Sequence, residues 1–187
     1  MRNRVNKSNW TSLLVVFFFL FSCTPAREKQ VELRDAQAYN DRGFAYTEKG
    51  QFDQAISDFN KALEMNPNLA MAYNNRGRVY ALKGEFDQAI LDFNKALEIN
   101  PNYAEAYYNR GFAYMKKGRY DQTISDCSRA LEINPTNIVA YRHRSRAYYL
   151  KKDYDKSWDD VAKIRELGHE IPPQFIDDLR KASGRQK

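Results

Sequence analysis

The chain of 187 residues suits one domain of ordinary size, and 30 Lys+Arg against 24 Asp+Glu is too small a surplus to mark a nucleic-acid binder. Arg2, Arg4 and Lys7 supply half of the formal +6, so the remainder nets only +3. Two cysteines (Cys23, Cys127) and two histidines (His143, His169) make neither a disulfide framework nor a metal-ligand grouping. Thirteen tyrosines fit packed helices with half-wet seams, because each ring wants burial and each hydroxyl a partner.

In chain order, the basic residues Arg2, Arg4 and Lys7 come first. An unbroken apolar run from Leu13 to Phe21 follows, then Ser22 and Cys23. A bilayer-crossing helix needs roughly 20 apolar residues, so this run is too short to span. It matches the central region of a secretory signal, which is about 7–15 residues. Leu20-Phe21-Ser22-Cys23 resembles the lipobox of bacterial lipoproteins, with Phe21 where a smaller residue is usual. That resemblance implies cleavage after residue 22, acylation of Cys23, and a short linker, 23–35. Thr24 in place of Asp points to the outer membrane by the same resemblance. Several acyl chains would hold the protein firmly, whereas one binds marginally.

From Ala36 onward the chain repeats. Segments starting "AYNDRG", "AYNNRG" and "AYYNRG" run to Pro67, Pro101 and Pro135 with a period of 34 residues, and a degraded fourth copy begins "AYRHRS" at Ala140. Each copy reads as two amphipathic helices. Tyr39, Gly43 and Tyr46 share one face of the first; Ala55, Phe59 and Ala62 share one face of the second. Gly50 marks the turn, Asp53 suits the dipole of the second helix, and Asn66-Pro67 ends it. Gly43, Gly77 and Gly111 stand about as far before the turn as Phe59, Phe93 and Cys127 stand after it. An interior Gly costs a helix about 1 kcal/mol relative to Ala, so its recurrence signals close packing. Cys127 takes a phenylalanine position and should be a buried, inert thiol.

These landmarks, clearest at Tyr73, Gly77, Tyr80, Ala89, Phe93, Ala96 and Pro101, resemble the tetratricopeptide repeat family across residues 36–171. The fourth copy departs at Ser145, Ser157, Val161 and Ile164. The resemblance implies an all-α, right-handed superhelical solenoid of four helix pairs (36–69, 70–103, 104–137, 138–171). One pair alone is too small to fold unaided, so stacking supplies the core. "PPQFIDDLRK" fits a capping helix opened by Pro173 with the stripe Phe175, Ile176 and Leu179; residues 172–187 end in a basic tail of Arg180, Lys181, Arg185 and Lys187.

A charge pattern keeps the same period. Arg42, Arg76, Arg110 and Arg144 precede the Gly or Ser, and Asp58, Asp92, Asp126 and Asp160 precede the Phe, Cys or Val. Antiparallel helices set each Arg level with an Asp, which predicts a structural bridge in every repeat. The family's concave face is lined by the first helix of each pair. The matching positions are Asn40, Phe44, Asn74, Arg78, Tyr108, Phe112, Met115, Arg142, Arg146 and Tyr149. Arg78, Arg142 and Arg146 would form a positive groove floored by aromatics, suited to an extended peptide with an acidic group. The plainer reading is a solvated face. Phe44 and Glu105 break the pattern of members that clamp terminal carboxylates, so no clamp is expected. His143 reads as a partly exposed histidine without duty.

"YRHRSRAYY" interleaves bases and rings, but in an exported protein a glycan or lipid headgroup is the better ligand than nucleic acid. Asp159 and Asp160 diverge around a helix and make no catalytic pair. No phosphate loop, nucleophile elbow, metal motif or cofactor signature is present. The expected role is a non-enzymatic, lipid-anchored adaptor. It would present its groove to a protein or peptide of the bacterial envelope, on the outer membrane facing the periplasm. The alternative is a structural lipoprotein whose repeats stack into a homo-oligomer.

Overall fold

The computed structural model describes residues 25–185. The expected signal segment 1–22, Cys23 and Lys187 lie outside the described residues. Among these, the chain forms nine helices and no strand: α1 (Pro25–Glu48), α2 (Phe52–Met65), α3 (Ala70–Leu82), α4 (Phe86–Ile99), α5 (Ala104–Lys116), α6 (Tyr120–Ile133), α7 (Ile138–Leu150), α8 (Tyr154–Glu166) and α9 (Pro173–Ser183). Consecutive helices pack together, and the odd-numbered ones also touch, α1 on α3, α3 on α5 and α5 on α7. The result is a four-pair solenoid closed by α9.

The turns follow from local chemistry. Each tight turn needs one residue in the left-handed region; Gly50, Gly84 and Gly118 hold it at φ of 71°, 81° and 73°. Repeat four puts Lys152 there at φ 64°, where a Cβ is crowded. At the other end of each repeat, Asn66, Asn100 and Asn134 accept from the amide two residues on, all at 3.1 Å. These turns carry the chain past the helix end.

Between the two helices of a repeat, the missing side chain of glycine makes room for a ring. A Cβ on Gly43 would lie 2.8 Å from the Phe59 ring, and one on Gly77 would lie 2.8 Å from the Phe93 ring. Gly111 faces the smaller Cys127, whose sulfur would be 3.1 Å away. Burial pushes the Cys127 thiol well above its ordinary range, which makes it inert. Repeat four changes the chemistry rather than the geometry: Ser157 donates to the Ser145 carbonyl at 3.0 Å, and Val161 fills the ring's place.

Two ladders tie one repeat to the next. Lys83 pairs with Asp53 at 2.9 Å, Lys117 with Asp87, and Lys151 with Asp121. Asn75 donates to Asn40 and Asn109 to Asn74, both at 3.0 Å.

Two corrections concern the ends. Residues 25–35 are not a linker: they continue α1 as helix for eleven residues ahead of the first repeat. The carboxyl end is more ordered than a basic tail implies. Helix α9 buries Ile176 and Leu179 against Val161, and Arg185 pairs with Asp155 at 2.8 Å. Arg185 stands 34 residues after Lys151, so the charged ladder simply continues. Helix α9 thus stands in the register of the first helix of a repeat. No helix among the described residues is long and apolar enough to cross a membrane.

Candidate functional site: the concave face

The intra-repeat pairs fix the helices that carry this face. Arg76 Nε and Nη2 donate to Asp92 at 2.8 and 2.7 Å, and Arg110 does the same to Asp126. Arg144 holds Asp160 at 3.0 and 2.7 Å, and Arg42 holds Asp58 at 2.5 and 2.8 Å. In three of them the remaining nitrogen reaches back to the preceding repeat. Arg76 Nη1 donates to Asn60 at 2.6 Å, Arg110 Nη1 to Asn94 at 2.7 Å and Arg144 Nη1 to Ser128 at 2.9 Å. Sequence reasoning missed this third partner, although the 16-residue spacing recurs three times. The ionic balance differs along the chain. The Arg42 guanidinium holds the Asp58 carboxyl below its ordinary value, whereas burial pushes those of Asp126 and Asp160 up.

The expected groove residues fall into three groups. Asn40 and Asn74 are buried and joined to the amide ladder; Asn40 also lines the floor of the first cavity along this face, and Asn74 donates to the Tyr103 hydroxyl at 3.3 Å. The odd helices approach closely here, which turns this position inward. Tyr149 is half-buried in the cap junction, edge-on to Phe175 at 5.6 Å. Tyr108 is half-buried, packed beside Cys127 and Ala130, and burial together with the nearby Glu105 pushes its hydroxyl up.

The remaining residues line three cavities in sequence along the face. The first, about 330 Å³, is bordered by Phe44, Arg78, Asp41 and Glu105. Arg78 lies over the Phe44 ring at 5.4 Å and 3.7 Å from Glu48. Burial and Glu105 push the Tyr103 hydroxyl at its edge up to about 12. The second, about 240 Å³, has Arg78 on one side and Phe112 and His143 on the other. The third, about 360 Å³, lies between α5, α7 and α9. Met115, Ile164, Ile171 and Phe175 give it apolar walls, with Arg142, Arg146 and Asp178 among them.

A single positive groove is therefore a correction to make. Arg78 sits at an acidic end among Asp41, Glu48 and Glu105; Arg142 and Arg146 sit at the other end, beyond the second cavity. Arg142 donates to the Glu170 carbonyl at 2.9 Å, and Arg146 stacks over Phe175 at 5.4 Å. A guanidinium held against a ring keeps its edge N–H groups available for an anion.

His143 occupies the position from which Asn75 and Asn109 donate in earlier repeats. Tyr108 replaces the receiving asparagine there, and the ring instead lies on Phe112 at 5.3 Å. It is half-buried, and burial with the neighbouring Arg142 lowers it to about 4, so it is neutral at ordinary pH. Sequence reasoning missed Ile171, just ahead of the cap, and Gln174 as residues of this face, and it placed Phe175 only in the capping stripe.

The repeat geometry and the sequence agree with known proteins. Profiles described as tetratricopeptide repeat match residues 36–69, 104–137 and 59–91, and one described as TPR repeat matches 77–118. The chain belongs to the tetratricopeptide repeat family.

Among curated proteins no sequence matches this one. Solved structures do. The first TPR of Spaghetti (RPAP3) bound to the HSP90 peptide SRMEEVD superposes with a TM-score of 0.61 at 26% identity, over 63% of this chain and 93% of its own. The Arabidopsis OM64 TPR domain gives 0.62 at 26%, over 63% and 98%. MamA from Desulfovibrio magneticus RS-1 gives 0.66 at 25%, over 72% and 76%. The tetratricopeptide repeat fold found here is a protein-interaction scaffold.

Proposed function

We propose that this protein is a lipid-anchored adaptor of the bacterial envelope. Its concave face takes an extended segment of a partner protein, with an acidic or carboxylate group held at the carboxyl end of the groove. The observation that carries this reading is the third cavity. Arg142 and Arg146 flank an apolar hollow of about 360 Å³ and have no carboxylate in bonding contact among the described residues. A neighbour of the same fold holds a peptide containing two glutamates and an aspartate, which supports the choice of an acidic ligand. The acylated Cys23 would tether the domain directly through helix α1, because no flexible stretch separates residue 25 from the repeats. Eleven helical residues set the first repeat about 16 Å from that end.

Two experiments test this reading. Replacing Arg142 and Arg146 together by alanine should abolish recovery of the partner in cell-envelope pull-downs while helicity is unchanged; undiminished recovery contradicts the groove. Labelled palmitate should enter the wild-type protein and not Cys23→Ser; equal labelling, or none, contradicts the anchor.

A further inference from the structure

The concave face carries opposite charge at its two ends. At the amino end Arg78 is taken up by Glu48 at 3.7 Å and by the Phe44 ring at 5.4 Å. Asp41 accepts from the amides of Gln37 at 2.7 Å and Asn40 at 3.2 Å. Neither Asp41 nor Glu105 has a cation in bonding contact among the described residues, so the first cavity keeps uncompensated negative charge. At the carboxyl end Arg142 and Arg146 meet a carbonyl and a ring, and Lys116 lies over the Phe112 ring at 5.3 Å. Among the described residues Asp178 is the one acid that lines the third cavity.

Neutral side chains in the groove sense this difference. After burial, Glu105 is what holds the Tyr103 and Tyr108 hydroxyls up, and Arg142 is what holds the His143 imidazole down. Half-buried groove walls sustain such fields at close range and favour a ligand whose charges run in the matching order.

The surface between the charges is apolar and open. Phe44, Met71 and Leu82 are 42%, 45% and 59% exposed along the first and second cavities. A lysine or arginine can lay its methylene stem on Phe44 and Met71 while its head meets Asp41 and Glu105. The first cavity is built from α1, α3 and α5, and the third lies between α5, α7 and α9, so their centres are two helix spacings apart. At about 8–10 Å per spacing the two ends lie about 16–20 Å apart, or about five to six residues of extended chain. Given that the concave face is the partner site, we infer that the partner segment is bipolar: a lysine or arginine enters the first cavity, an acidic group enters the third, and apolar side chains lie between them. The separation of the two charges is then as much a part of recognition as their signs.

The test presents a displayed library of random dodecapeptides to the immobilised full-length protein in detergent. Selected peptides should carry a basic and an acidic residue about five to six positions apart, with apolar residues between. Asp41→Asn with Glu105→Gln should still select the acid and lose the base; Arg142→Ala with Arg146→Ala should do the reverse. The Asn and Gln replacements keep shape at positions that are at least partly exposed, so folding is not at stake. In a synthetic copy of a selected peptide, replacing the basic residue by alanine should weaken binding to the parent protein by about tenfold and leave binding to Asp41→Asn with Glu105→Gln nearly unchanged. Peptides selected for an acid alone, or with a base at no constant separation, overturn the inference and leave the adaptor reading standing. No enrichment overturns both, and a two-chain mass on sedimentation would then assign the groove to a second copy.

Discussion

At the amino end of the solenoid Arg42 stands largely in solvent beside exposed Ala38 and Ala45. At the carboxyl end Arg144 is covered, and α9 buries Ile176 and Leu179 over Val161. Both ends use the same 34-residue pattern. The difference is that α9, in the repeat's register, covers the last helix pair, while among the described residues no helix covers the outer face of α1. A repeat's own pair of helices is thus not enough to fix its environment; the neighbour decides whether a given arginine or alanine is core or surface. The same contrast runs along the concave face, which is acidic around Arg78 and basic and apolar under the cap.

The largest effect expected is at the cap. Leu179→Ala removes a fully buried side chain and should cost about 2–5 kcal/mol in chemical denaturation, whereas Ala38→Leu on the open face should stay within about 0.5 kcal/mol. An equal cost at both would erase the distinction between the ends. The ion pairs sharpen it next. Asp126→Ala strands a half-buried guanidinium and should cost about 3 kcal/mol, while Asp58→Ala leaves Arg42 free to rehydrate and should cost about 1 kcal/mol.

Acid should act on the carboxyl half. His143 ordinarily titrates near 6.5 and is lowered to about 4 in the fold. The unfolded chain therefore takes up a proton that the native state refuses. Stability is fully present above pH 6.5 and falls as pH drops towards 4, by up to about 3 kcal/mol. His143→Gln should remove that part of the slope in paired denaturation curves. The smallest effect is a gain. Lys152→Gly relieves the one positive-φ side chain among the described residues and should raise stability by about 1 kcal/mol, visible as a shift in thermal midpoint.

Most of the fold was legible because period is legible. Gly77 against Phe93 and the Asn-Pro ends say where helices start, stop and touch, and Arg76 and Asp92 share a height because both lie next to that contact. What escaped was whatever depends on two repeats at once. Asn40 and Asn74 lie on the concave side by position, yet a neighbouring asparagine 35 residues later draws each inward. Arg78 has the charge of Arg142 and Arg146 but sits among carboxylates brought from two other helices, α1 and α5. The cap's contribution to the third cavity was hidden because Phe175 and Ile171 keep the repeat's register without its landmarks. The 25–35 segment read as a linker for want of an apolar stripe; its alternating charges make a helix that needs no core of its own.

The adaptor reading is tested most directly by photo-crosslinking in cells, with the crosslinker placed at Met115 inside the third cavity and, separately, at exposed Leu91 on α4. The account predicts a discrete adduct with another envelope protein from Met115 and none from Leu91. Adducts from Leu91 alone, or from Met115 only with a second copy of this chain, would contradict it.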